Sequence, residues 1–127
     1  MATLRTLFLN PPSFAGFDGG AGARYQASRE IRSFWFPTWL AQPAAMIDNS
    51  KLIDAPADDL SLEQVLQMAK GFDLCMIHTS TPSFDNDVKV AEALKKAYPD
   101  MRVGFVGAHV AVLAEQSLKA APVLDFV

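Results

Sequence analysis

Asp73-Leu74-Cys75-Met76-Ile77-His78-Thr79-Ser80-Thr81-Pro82 decides the fold. Its centre, Leu74-Cys75-Met76-Ile77, is uninterrupted and apolar, as a central parallel strand covered on both faces requires. Small hydroxylated residues and a proline then end it in a loop. Outward from this stretch the same pattern recurs, with short β-rich runs at residues 4–9, 51–54, 101–106 and 123–127. Asn10-Pro11-Pro12 ends the first, because two successive prolines remove ladder donors, and Ala55-Pro56 ends the second.

Segments of helical period lie between these runs. Residues 37–47 predict a helix that Pro43 should kink or restart. Ser61 is an N-cap for a second helix with Glu63 in its first turn; Leu62, Val65, Leu66 and Ala69 fall on one face, and Gly71 closes it. A third spans residues 84–97, with Val88, Ala91 and Leu94 inward and Lys89, Glu92, Lys95 and Lys96 in water. Gly107-Ala108-His109 reads as a turn, followed by a helix at 113–121. Strand and helix alternation predicts an α/β fold. It is read as one Rossmann-like (flavodoxin-like), doubly wound domain over residues 1–127, its five parallel strands in the order 2-1-3-4-5. A chain ending within strand five is expected to be the N-terminal part of a longer protein.

Composition narrows the function. Eleven Lys+Arg against fourteen Asp+Glu leave a net charge of −3, so there is no basic excess for a nucleic-acid backbone. The one cysteine, Cys75, closes no internal disulfide and cannot by itself hold zinc or an iron–sulfur cluster, which fits a reduced, cytoplasmic setting. The least polar stretch, residues 103–114, is interrupted by Gly104, Gly107 and His109 and falls short of the roughly 18 apolar residues of a membrane span, so no transmembrane segment is expected.

Residues 10–36 form a connection of 27 residues without a convincing periodic element, far longer than the usual loop of about 2–6. It holds the glycine-rich run from Gly16 to Gly22, then Arg24, Tyr25, Arg29 and Arg32, then Phe34-Trp35-Phe36. Its spacing matches neither the dinucleotide fingerprint nor a P-loop. A covering surface loop and a ligand or partner surface are equally good readings of it.

In an open parallel sheet, ligands bind beyond the carboxyl ends of the strands. Three loops should meet there and supply the candidate site: Asn10, Pro11 and Pro12; Thr79, Ser80, Thr81 and Pro82; Gly107, Ala108, His109 and Val110. Small side chains leave room for a large ligand, and hydroxyls offer hydrogen bonds without charge. No catalytic grouping or metal site follows from spacing. A flavin is disfavoured because the Ser/Thr-rich loop follows the third strand rather than the first. Cys75 reads as a small buried hydrophobe and His78 as a hydrogen-bonded core histidine.

The ordered set of Asn10-Pro11-Pro12, Phe36-Pro37, Asp73 opening and Thr79-Ser80 closing strand three, Gly107-x-His109, and Asp125-Phe126-Val127 resembles the N-terminal cobalamin (B12)-binding-like domain of class B radical S-adenosylmethionine enzymes. The glycine-rich run, the stretch from Phe34 to Pro43 and that from Gly104 to Val110 are most similar to the hopanoid-biosynthesis subgroup. The resemblance implies an accessory domain that holds cobalamin beside a radical barrel acting on a lipid-derived substrate. The [4Fe-4S] cluster and S-adenosylmethionine would belong to that barrel, since no CxxxCxxC motif occurs here. Histidine-donating cobalamin domains resemble Asp-x-His-x-x-Gly, but Met76 precedes His78 and Gly107 precedes His109 at that offset, so no protein histidine on cobalt is implied. Gly107-Ala108-His109 is also one residue shorter than the Gly-Gly-x-His of the wider family. A cofactor-free interaction module, a tetrapyrrole-cyclase-like domain and an independent flavin or nucleotide binder are the alternatives.

Overall fold

The computed structural model describes residues 3–14, 17–18, 26–27 and 36–127. In chain order the elements are strands β1 (Thr6–Asn10), β2 (Phe17–Asp18) and β3 (Gln26–Ala27), helix α1 (Thr38–Met46), β4 (Ser50–Asp54), α2 (Leu62–Met68), β5 (Leu74–His78), a 3-10 turn (Thr81–Ser83), α3 (Phe84–Ala97), β6 (Arg102–Val106), α4 (Ala108–Val112) and α5 (Ala114–Ala120). Four strands form one all-parallel sheet in the order β4-β1-β5-β6, while β2 and β3 pair antiparallel within the long connection. The chain moves from β1 outward to β4, then crosses back to β5 and β6. The order therefore reverses between β1 and β5.

Alternation along the strands separates two faces. Leu7, Leu9, Ile53, Cys75, Ile77, Val103 and Phe105 are fully or almost fully buried against Val65 of α2 and Val90, Ala91 and Leu94 of α3. The opposite face carries Phe8, Met76 and His78, and α1 lies across β1 and β4. Trp39 of α1 sets its ring 5.1 Å from that of His78. Burial pushes the Cys75 thiol far above its ordinary range, which leaves it an inert core side chain.

Local chemistry explains the elements. Ser61 Oγ accepts from the Gln64 N–H, and Gln64 Oε1 accepts from the Ser61 N–H, a reciprocal cap that satisfies two otherwise orphaned donors. Gly71 follows α2 at φ +83°, a conformation costly for any side chain. Helix α1 continues through Pro43 and forgoes one backbone bond there. The buried stripe of α3 starts at Phe84 and includes Asp87 and Val90, while Val88 is only half-buried. Lys95 is not a free surface lysine: its Nζ donates to Met101 O and to Asp125, each at 3.0 Å. No described helix is long and apolar enough to cross a membrane.

The expected five-stranded sheet has four strands. The segment at 123–127 is reduced to a single parallel bridge, Gly104 to Phe126. The reason lies in Asp125, whose carboxylate accepts from the Val103 N–H at 2.8 Å, so a side chain occupies a place that a strand's backbone carbonyl would fill. Its own N–H donates to Val103 O, and Phe105 N–H reaches Phe126 O. Ala108 and His109, expected in a turn, open the short helix α4, and the helix expected at 113–121 is α5 after a break at Leu113.

Asp125 also makes a testable contribution to stability. Burial alone would raise its pKa, but hydrogen bonds from Val103 N–H, Lys95 and Arg102 outweigh that and hold it at about 2. Arg102 is 72% exposed, so its pairing adds little; Lys95, 23% exposed, and the Val103 N–H matter more. A carboxyl depressed on folding stabilises fully above its unfolded pKa, near 4, and loses that effect as pH falls toward its folded value. Asp125→Ala should cost about 2 kcal/mol at pH 7. In thermal melts the gap to the wild type should stay constant above about pH 5 and narrow between pH 4 and 2; a gap independent of pH would refute this role.

Candidate functional site

The strand order reverses at the carboxyl ends of β1 and β5, and in open α/β sheets that switch point is where ligands bind. Three of the expected loops border it. Asn10 ends β1 and is completely buried, with Pro11 and Pro12 buried after it. Thr79, also completely buried, follows β5, and its N–H donates to Val106 O at 2.9 Å. Ser80 is half-buried, while Thr81 and Pro82 are exposed and begin the turn into α3. Gly107 follows β6 at φ +132°, so close to Thr79 that a Cβ on it would strike the Thr79 carbonyl oxygen. This contact welds the second loop to the third.

A second link is made by side chains. Thr81 Oγ1 and His109 Nδ1 are 3.0 Å apart, and the His109 ring lies 4.8 Å from that of Phe84. His109 is therefore held at the lip by two contacts. Ala108 beside it is exposed, while Val110 turns inward and packs in the core, lining a groove that Gly107 also borders.

The first loop is tied to α3 by residues that motif reading passed over. Asn86 Nδ2 donates to Pro12 O at 3.0 Å and to Asp87 at 3.2 Å, while its Oδ1 accepts from the Phe14 N–H at 2.8 Å. Buried Asp87 accepts from Ser83 Oγ at 2.9 Å, and Ser83 Oγ lies 2.8 Å from Ser80 Oγ. One polar chain thus runs from the β5 loop to the β1 loop. The available signal was two polar residues, Asn86 and Asp87, on the first turn of a helix that otherwise turns apolar residues inward.

Asp54 and Trp39 were also passed over as site residues. Asn10 Nδ2 donates to Asp54 Oδ1 at 2.8 Å across the β1 to β4 register. Asp54-Ala55-Pro56 echoes Asn10-Pro11-Pro12 in sequence, and that echo was the signal. Among the described residues, Asn10 Oδ1, Thr79 Oγ1 and Trp39 Nε1 are buried without a hydrogen-bond partner. Buried polar atoms are seldom left so, and each unmet one costs about 1–3 kcal/mol. No cluster of three or more metal-ligating side chains occurs among the described residues. The residues of the glycine-rich run other than Phe17 and Asp18, together with Arg24, Tyr25, Arg29, Arg32, Phe34 and Trp35, lie outside the described residues.

Two grooves are lined by described residues. One, of about 300 Å³, is lined by Phe72, Asp73, Tyr98 and Asp100 near the opposite edge of the sheet. The other, of about 360 Å³, lies between Phe105, Gly107, Val110, Ala114 and Val127, and so meets the third loop at Gly107. Neither contains the unpartnered atoms named above. No protein-family model, curated protein or solved structure matches the chain.

Proposed function

We propose that this chain is a corrin-binding accessory domain of a radical S-adenosylmethionine enzyme that acts on the side chain of a hopanoid lipid. The observation that carries the reading is the switch of strand order between β1 and β5, at whose carboxyl ends Asn10 Oδ1 and Thr79 Oγ1 are buried without partners, with Gly107 close against Thr79. Those residues fit a large neutral ligand, because they offer hydrogen bonds from small side chains beside backbone that approaches closely. Cobalamin there would bring cobalt redox chemistry to a catalytic domain. The chain's own residues bind and orient: Asn86 fixes the first loop, and the Thr81 and His109 pair fixes the lip. His109, held by Thr81 and Phe84, contributes shape and hydrogen bonding rather than a bond to cobalt.

The experiment is gel filtration of the chain with hydroxocobalamin, read by co-eluting visible absorbance, followed by electron paramagnetic resonance of the cob(II)alamin complex. Stoichiometric co-elution without nitrogen splitting from a protein histidine is expected. Failure to co-elute refutes corrin binding, and nitrogen splitting that disappears in His109→Ala refutes the histidine-free site. A second reading, an interaction module without cofactor, is favoured by Phe36 and Met46, 88% and 86% exposed at the two ends of α1. It predicts a colourless protein with no affinity for corrin.

A further inference from the structure

We propose that the ends of β4, β1 and β5 form a subsite for a primary carboxamide, centred on Asn10. Three side chains lie in one row across the sheet: Asp54 opposite Asn10 by register, and His78 next along, since Leu9 pairs with Ile77. The Trp39 ring stands over His78 on the same face. This row crosses the point where the strand order reverses.

The hydrogen bonds give the row a defined polarity. A carboxylate oxygen can only accept, so the 2.8 Å contact from Asn10 to Asp54 Oδ1 fixes the nitrogen end of the Asn10 amide toward Asp54. The other end, Oδ1, is thereby an acceptor, buried and unpartnered among the described residues. Trp39 Nε1 is a donor only, and it too is buried without a partner. The site lacks one N–H for Asn10 and one carbonyl for Trp39. A primary carboxamide carries both on adjacent atoms. A carboxylate or phosphate carries only acceptors, and it would meet Asn10 Oδ1 with lone pairs facing lone pairs.

The subsite deepens the corrin reading and rests on it for its natural ligand, because the corrin periphery bears primary amides. Its test does not depend on that reading. The full chain, labelled with nitrogen-15, is titrated with acetamide and separately with acetate, following the Asn10 side-chain amide and the Trp39 indole N–H. Acetamide should move both resonances saturably and bind at least about tenfold tighter than acetate, a difference of about 1.4 kcal/mol. Trp39→Phe, which keeps an aromatic ring and removes the N–H, should weaken the acetamide response at Asn10. Unmoved resonances, or equal responses to both probes, overturn the subsite. In a third titration, hydroxocobalamin that binds while leaving both resonances unmoved also overturns it. If acetamide binds and hydroxocobalamin does not, the subsite stands and the corrin assignment falls.

Discussion

Gly107→Ala is expected to lower the stability of the domain by about 3 kcal/mol or more and to remove ligand binding in the fraction that still folds. Two effects combine. At φ +132° and ψ 171° the backbone lies in a region that essentially only glycine occupies, which by itself costs an L-residue about 1–3 kcal/mol. The added Cβ would also meet the Thr79 carbonyl oxygen, a backbone atom whose strand is fixed by the Thr79 N–H to Val106 O bond. The side chain cannot swing away, so the two loops must part. For a domain of this size the cost corresponds to a melting temperature lower by about 10 °C. A melt within about 2 °C of wild type would show that the loops are not joined here.

The second large effect concerns Gly104. A Cβ at this position would overlap one edge of the Phe126 ring, so the ring occupies the space a side chain on β6 would take. Gly104→Ala should cost about 2–3 kcal/mol, because the ring must leave and takes with it the bridge that closes this edge of the sheet. Phe126→Ala should cost a similar amount through lost burial. The clash requires both groups, so the double variant should be less destabilised than the two single costs together by about 1 kcal/mol or more. Strict additivity in urea unfolding would contradict the packing described.

These two glycines show which parts of the structure were legible in the sequence. Strand positions followed from the Leu74 to Ile77 run and from Asn10-Pro11-Pro12, since apolar runs and prolines act locally, and the order followed from the α/β class that strand and helix alternation implies. That Gly104 makes room for Phe126 depends on a contact across 22 positions, which no local pattern reveals. The fifth strand was overcounted for a related reason: residues 123–127 have strand composition, but the Asp125 side chain takes up a backbone donor of β6 and leaves a single bridge.

The site shows the same division. The positions of Asn10, Thr79 and Gly107 at or just past the carboxyl ends of β1, β5 and β6 were legible because all strands of a parallel sheet run the same way. That Val110 packs in the core was not legible, because α4 begins at Ala108, where a turn was expected, and directs it inward. Asp54 and Asn86 were missed because their importance lies in partners 44 and 74 positions away, Asn10 and the Pro12 carbonyl. Trp39 was missed because its ring neighbour, His78, lies far along the chain.

The central claim is that a corrin sits at the β1 and β5 ends, and paramagnetic broadening tests it most directly. Cob(II)alamin carries an unpaired electron, so amide resonances of the labelled chain should broaden with proximity to the bound cobalt. Broadening confined to Asn10, to Thr79 through Thr81 and to Gly107 through His109, with Tyr98 and Asp100 at the far edge unaffected, is the predicted result. Unbroadened spectra at saturating cob(II)alamin, or broadening centred on Tyr98 and Asp100, would contradict the assignment.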